Sequence, residues 1–188
     1  MIKITEKGQE GDTVVELGYI KSRGIAGKII LPVTRYFRAM NARKYVSGGE
    51  RLLDIGCGDG YFLKRVKCKE RYGLDKLLGD EVIDDLDFPD NYFDYVTMLA
   101  VIEHLKDPQV LVREIHRVLK PAGKFIFTTP RKEAEKFIKL YAKDIQQEHE
   151  SYFDYTKVKE LTGDLFKIAE FKYFFFGLNQ IFCLKKLS

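Results

Sequence analysis

Short apolar runs alternate along this chain with stretches in which apolar residues recur every three or four positions. The runs read as strands at Arg51–Ile55, Arg71–Leu74, Phe93–Leu99 and Phe125–Thr129. Val82-Ile83 reads as a brief further strand, and Thr13–Leu17 has the composition of a short one. Between the runs, helical spacing is clear. Pro32 suits the first position of a helix that carries Val33, Phe37 and Met40 and ends at Ser47-Gly48-Gly49. A helix is predicted from about Gly60 to Val66. Asp107-Pro108 caps and opens another, whose stripe is Leu111, Ile115 and Val118 and whose stop is Lys120-Pro121-Ala122-Gly123. Lys132–Lys143 reads as helical with Phe137, Leu140 and Tyr141 inward, and Thr156 is positioned to cap a short helix with Val158 and Leu161. Lys167–Phe176 and Gln180–Lys186 are β-rich runs separated by Gly177-Leu178-Asn179, so they should pair antiparallel. Strands alternating with helices and closed by a hairpin predict an α/β fold, mainly parallel with one antiparallel strand.

Composition adds bounds. The chain has 188 residues, 45% hydrophobic and 32% charged, which suits one soluble globular unit with a sizeable core. No apolar run reaches the length of a membrane span, and no signal pattern opens the chain, so a cytoplasmic protein is expected. Cys57, Cys68 and Cys183 have neither metal-ligand nor disulfide spacing, and no metal is expected. Charge is uneven. Lys21–Arg51 holds eight basic residues against the single acid Glu50, a net +7 within a chain of net +4. Residues 1–46 are therefore read as a basic helical arm or cap, and residues 47–188 as the main domain.

The chemistry concentrates in Leu52-Leu53-Asp54-Ile55-Gly56-Cys57-Gly58-Asp59-Gly60. A strand runs into an acid, then into glycines at alternate positions, then into helical spacing. Glycine allows backbone angles and close ligand approach that a side chain forbids. Such a corner makes room for a nucleoside-bearing cofactor at the carboxyl edge of a sheet. No Lys and Ser/Thr pair follows, which excludes a phosphate-binding P-loop.

Five segments in order resemble the class I S-adenosylmethionine-dependent methyltransferases, and more narrowly the type 11 group that includes the ubiquinone/menaquinone methyltransferases. They are Leu52–Leu63, Tyr72-Gly73-Leu74-Asp75, Asp85–Val96, Val101-Ile102-Glu103-His104-Leu105 and Arg113–Gly123. The resemblance implies a Rossmann-like three-layer sandwich around a seven-stranded, mainly parallel sheet with the last strand antiparallel. It implies S-adenosyl-L-methionine as cofactor and S-adenosyl-L-homocysteine as product. The loop at Gly56, Cys57, Gly58 and Gly60 would hold the methionine end, and Asp54 would orient that loop and reach the ammonium. Asp75, followed by Lys76, would accept the ribose hydroxyls, a carboxylate having two acceptor oxygens for a vicinal diol. Asp84 or Asp85 would accept the adenine amino hydrogen, with the next backbone N–H, such as that of Leu86, meeting a ring nitrogen; Asp84 is favoured. Leu99 and Ala100 would border the sulfonium. The stretch Lys76–Glu81 is shorter than in the family.

Methyl transfer from a sulfonium is an in-line displacement, so alignment and water exclusion carry much of the work. His104, beside Glu103, is the candidate general base; the alternative is that both open a helix. Arg35, Tyr36, His149 and Tyr152 are candidate acceptor contacts, and Tyr36, Phe37, Tyr152, Phe153 and Phe174–Phe176 are candidate linings of an apolar acceptor pocket. Leu99-Ala100-Val101 stands where amino-methylating DNA and protein-glutamine enzymes carry Asn/Asp-Pro-Pro-Tyr. The expected partner is a small-molecule acceptor, with nucleic acid disfavoured and the protein a monomer or homodimer. Two further readings stay open: an RNA or anionic-lipid methyltransferase using the basic arm, and a catalytically silent cofactor-binding module.

Overall fold

The computed structural model describes residues 1–5, 8–11, 30–76, 85–134 and 151–188. Strands β1 (Ile2–Thr5) and β2 (Gly8–Gly11) come first, then helix α1 (Leu31–Arg43), β3 (Arg51–Ile55), β4 (Glu70–Leu74) and β5 (Phe93–Leu99). A short 3-10 turn, Ile102–His104, leads to α2 (Pro108–Val118) and β6 (Leu119–Pro130). Helix α3 (Tyr155–Thr162), β7 (Phe166–Phe174) and β8 (Asn179–Lys186) complete the order. The eight strands form one sheet in the order β2-β1-β4-β3-β5-β6-β8-β7. The central strands β4, β3, β5 and β6 are parallel, and β8 runs antiparallel to both its neighbours. This is the expected Rossmann-like class with its last strand reversed.

The sheet is extended at one edge by an element the sequence did not announce. β1 pairs antiparallel with β4, Ile2 opposite Gly73 and Ile4 opposite Arg71, and β2 pairs outside it. The segment 1–46 is therefore not a helical arm throughout, because its first residues are sheet strands. Ile2 is fully buried and Ile4 nearly so, which ties the hairpin to the core. The strands expected at Thr13–Leu17 and Val82-Ile83 lie outside the described residues, as does most of the helix expected at Lys132–Lys143.

Period-two alternation divides the core into two faces. Leu53, Ile55, Val96, Met98, Phe125, Phe127, Phe182 and Leu184 point to the side covered by α2 and α3. Leu52, Tyr95, Ile126, Ile181 and Cys183 point to the side covered by α1. Phe93, Phe125, Phe127 and Phe182 are fully buried, and each contributes about 1.5–3 kcal/mol of transfer free energy.

Local chemistry explains the helix ends. The Asp107 carboxylate accepts Gln109 N–H at 3.1 Å, as the sequence indicates. Asp154, rather than Thr156, caps α3, accepting Lys157 N–H at 2.8 Å. Gly60–Val66 forms successive turns instead of a helix, with Lys64 N–H donating to Gly60 O and Val66 N–H to Phe62 O. Residues 58–60 are held by the cofactor-type loop, and Gly60 has φ +73°, so helical angles begin too late for a full helix. Helix α1 buries small residues, Thr34, Ala39 and Ala42, while Val33, Tyr36 and Phe37 face outward. Among the described residues no helix is long and apolar enough to cross a membrane.

Candidate functional site

The parallel strands β3, β4 and β5 end side by side, and their carboxyl ends carry the polar groups. Asp54, one residue from the end of β3, is 2% exposed. Its Oδ1 accepts the Thr97 hydroxyl from β5 at 2.7 Å. Burial pushes its carboxyl up to about 7 and the Asp75 charge adds to the rise, against the Thr97 hydrogen bond and the Arg35 charge. Asp75, just beyond β4, is buried as well, and its Oδ2 accepts Gly58 N–H at 2.7 Å. Gly56 and Cys57 both donate their N–H groups to Leu74 O, at 2.8 and 3.1 Å, which anchors the loop to the adjoining strand.

Two glycines in the loop are required for different reasons. Gly56 has φ +75°, and a Cβ there would fall 2.2 Å from Val101 Cγ2. Gly58 has φ +54° with open space around it, since a Cβ there would meet no heavy atom within 4 Å. The loop thus packs against Val101 on one side and presents free volume over Gly58. Cys57 is buried, its Sγ 3.7 Å from Gly58 O, as a small space-filling residue.

Helix α1 is clamped onto this loop. The Arg35 guanidinium pairs with the Asp59 carboxylate, which also accepts Tyr61 N–H at 3.1 Å. Arg35 lies 4.3 Å and Arg65 3.5 Å from the Tyr61 ring centroid, so two guanidinium groups pack on one ring. Farther along α1, Arg38 Nε donates to Asn179 Oδ1 at 3.3 Å. Arg35, predicted as an acceptor contact, is thus engaged on the cofactor-type loop, and Tyr36 beside it is largely exposed.

The edge beyond β5 holds a second polar group. Ala100 has φ +60° and donates its N–H to Thr128 O at 2.9 Å, which turns the chain sharply after Leu99. Glu103 follows and is 1% exposed, with its Oε2 lacking a hydrogen-bond partner among the described residues. Burial raises its carboxyl above the usual range, against the charges of Arg38 and His104. The Thr128 hydroxyl, at the end of β6, is buried without a hydrogen-bond partner among the described residues, while the Thr129 hydroxyl beside it also opposes the rise at Glu103 by hydrogen bonding. His104 is exposed, next to this buried acid. Gln180, buried at the start of β8, donates from Nε2 to Phe153 O.

The acidic loop has its own clamp. Arg117 on α2 donates to Leu86 O and Phe88 O at 2.8 Å each, to Asp90 Oδ1 at 2.8 Å and to both Glu114 oxygens. Leu86 N–H donates to Glu114 Oε2 at 3.0 Å, so this N–H is already committed within the protein. Asp85 is exposed, 3.7 Å from Arg117. Asp84 lies outside the described residues, as does His149. Lys76 is exposed beside Asp75, and Tyr152 is half-buried, its carbonyl accepting Lys157 Nζ at 3.1 Å.

The structure thus brings together Asp54, Gly56, Gly58, Asp75, Leu99 and Ala100, with Glu103 on the neighbouring edge. The expected aromatic lining does not form as a unit: Phe153 is in the core and Phe176 is 93% exposed. Thr97, Asp59, Arg38 and Val101 take part without having been singled out. A threonine inside an apolar strand beside an Asp-bearing strand was the available signal for Thr97; the others depend on distant pairings. Among the described residues no group of three His, Cys, Asp or Glu side chains is placed to hold a metal ion.

A family model described as a methyltransferase domain matches residues 27–164. An uncharacterized methyltransferase of Schizosaccharomyces pombe is 34% identical over 110 residues, covering 43% of this chain and 40% of that protein. The ubiquinone/menaquinone biosynthesis C-methyltransferase UbiE of Cupriavidus metallidurans is 29% identical, covering 54% and 53%. The chain thus spans about half the length or less of these relatives. Among solved structures, the complex between the Haloferax volcanii Trm112 methyltransferase activator and its methyltransferase matches with a TM-score of 0.69 and 17% identity, covering 86% of this chain and 92% of that one. With its buried strand-end acids, glycine loop and reversed last strand, the chain belongs to this methyltransferase-domain family and has the Rossmann-like fold of the class I S-adenosylmethionine-dependent methyltransferases.

Proposed function

We propose that this protein moves the methyl group of S-adenosylmethionine to a small-molecule acceptor by in-line displacement at the carboxyl edge of β3, β4 and β5. The observation that carries this reading is the pair of buried carboxylates, Asp54 and Asp75, flanking a glycine loop with open volume over Gly58. The residues fit the cofactor. Asp75 Oδ2 is occupied by Gly58 N–H, while a carboxylate keeps further acceptor capacity for a ribose diol. Asp54 sits at the methionine end, where an ammonium offsets the desolvation of its carboxylate. When bound, the cofactor supplies an electrophilic methyl on a sulfonium leaving group.

The chain's own residues then align and exclude water. Ala100 turns the backbone away at the end of β5, which opens the face where methyl and acceptor meet. Glu103 is buried at the edge beyond β5, with the Thr129 hydroxyl beside its carboxyl. His104, exposed beside them, is the group placed to take a proton to solvent. The relative named for ubiquinone and menaquinone biosynthesis supports an acceptor outside the nucleic acids.

Calorimetry with S-adenosylmethionine and S-adenosylhomocysteine tests the donor side. Asp75→Ala is expected to weaken binding about 10- to 100-fold, the worth of a charged hydrogen bond. No detectable binding to the unaltered protein at millimolar cofactor would overturn the reading. A radiolabelled-donor screen of small-molecule and RNA fractions then distinguishes the acceptor classes, with label in RNA alone refuting a small-molecule acceptor.

A further inference from the structure

Helix α1 wears its large apolar residues on the outside. Its buried positions are Thr34, Ala39 and Ala42, all small, while Val33, Tyr36 and Phe37 are 38%, 48% and 38% exposed. Ile30, just before the helix, is 37% exposed. The same face is extended by the β7–β8 hairpin. Phe37 meets Phe175 with ring centroids 5.3 Å apart, and Phe175 packs on Phe176 at 5.5 Å. Phe176 is 93% exposed and Tyr173, on the adjoining strand, 55%. A surface of this kind is rare on an unpartnered protein.

The tip is built, not frayed. Phe175 and Phe176 hold φ values of +50° and +56°, followed by Gly177 at +74°. Two successive aromatic residues in the left-handed region are strained, and persist only where surrounding structure imposes them. Here Arg131 imposes it: its N–H donates to Leu178 O at 2.9 Å and its Nη1 to Gly177 O at 3.0 Å, with its guanidinium 4.6 Å from the Tyr173 ring centroid.

Charge selects the partner. α1 carries Arg35, Arg38 and Arg43 and no acid, with Lys44 following, and the outward residues at its end are Arg43 and Lys44. The Lys21–Arg51 segment holds +7 while the remainder of the chain is −3. Among the described residues, Glu133 pairs with Arg131 at 3.3 Å and Glu170 with Lys172. Exposed aromatics flanked by the outward Arg43 and Lys44 match an anionic bilayer interface, where rings sit at the headgroup boundary and cations meet lipid phosphates.

We propose that the outer face of α1 and the Phe175–Phe176 hairpin tip form one docking surface for an anionic lipid bilayer. Because α1 is also clamped to the glycine loop through Arg35–Asp59, docking places the mouth of the site at the membrane. The surface stands independently of the methyl-transfer reading.

Vesicle sedimentation tests it, using phosphatidylcholine alone and phosphatidylcholine mixed with phosphatidylglycerol, at low and physiological salt. The unaltered protein is expected on the phosphatidylglycerol vesicles. Phe175→Asn/Phe176→Asn, which suits the left-handed backbone, should lower partitioning about 10- to 100-fold. Arg43→Gln and Lys44→Gln should each lower it about fivefold and flatten the salt dependence. Cofactor affinity should stay unchanged in all of these variants, and a cooperative thermal melt shows that each remains folded. Absence of binding to phosphatidylglycerol vesicles at low salt overturns the proposal, as does unaltered partitioning of the double variant. So does sedimentation velocity showing self-association that the double variant abolishes without any vesicle binding, which makes the face a protein interface.

Discussion

Gly56→Ala and Gly58→Ala form a matched pair that separates backbone strain from crowding. Both glycines lie in one loop and both have positive φ, +75° and +54°. An alanine at either position pays the left-handed penalty, about 1–2 kcal/mol. Only at Gly56 does the new methyl collide, 2.2 Å from Val101 Cγ2 and 3.3 Å from Val101 Cβ, while at Gly58 it meets nothing within 4 Å. Val101 opens the Ile102–His104 turn, whose Ile102 is fully buried, so it has little room to retreat. Overpacking of this kind adds about 1–3 kcal/mol. Gly56→Ala should therefore unfold about 2–12 °C below Gly58→Ala for a chain of this size. Urea unfolding and thermal melts measure the difference. Val101→Ala in the Gly56→Ala background should recover part of it, since the nearest remaining atom is then the Cβ at 3.3 Å. Cofactor affinity should rank the other way, because the added methyl of Gly58→Ala enters the open volume. Equal melting of the two alanine variants would refute the assignment of Val101 as the crowding group.

Asp54 makes a pH prediction. Its folded carboxyl is raised from 3.8 to about 7, so the folded protein holds the extra proton and stability falls as pH rises between those values. Asp54→Asn should abolish that slope in melts across the window, and cofactor binding below pH 7 should release a proton, seen as buffer-dependent calorimetric heats. Glu103→Gln removes a buried acid whose carboxyl is also raised; it should leave the Tm unchanged or higher, with the gain larger at high pH, while turnover falls. Loss of stability at high pH would contradict it. Arg117→Ala leaves Leu86 O and Phe88 O without their donor and Glu114 without its cation, and should cost about 2–3 kcal/mol in urea unfolding. Arg117→Lys should recover little of this, because one ammonium cannot reproduce the fork.

The glycine loop and its flanking acids were legible as neighbours because they are contiguous or end a strand. Asp54 and the glycines occupy seven residues of sequence, and Asp75 follows the next apolar run, so strand pairing alone sets them side by side. The helices that fill one face of the sheet were legible from spacing, since α2 buries Leu111, Ile115 and Val118 as its stripe predicts. Spacing located α1 and left open what it faces. Its periodicity was read correctly as a helix, yet its apolar stripe faces outward, because the sheet there is already filled by Tyr95 and Ile126 and admits only Thr34, Ala39 and Ala42.

Local order, then, follows from the chain's own pattern: the main strand positions, helices α1 and α2, the glycine corner, the cap at Asp107. Contacts between distant segments follow from nothing local. The pairing of β1 with β4, the Thr97 hydroxyl on Asp54, Arg35 on Asp59, Arg38 on Asn179 and the unpartnered Glu103 oxygen all join residues whose spacing carries no period. Periodicity reports which side of an element is apolar, whereas only packing decides what that side meets and which polar groups are left buried.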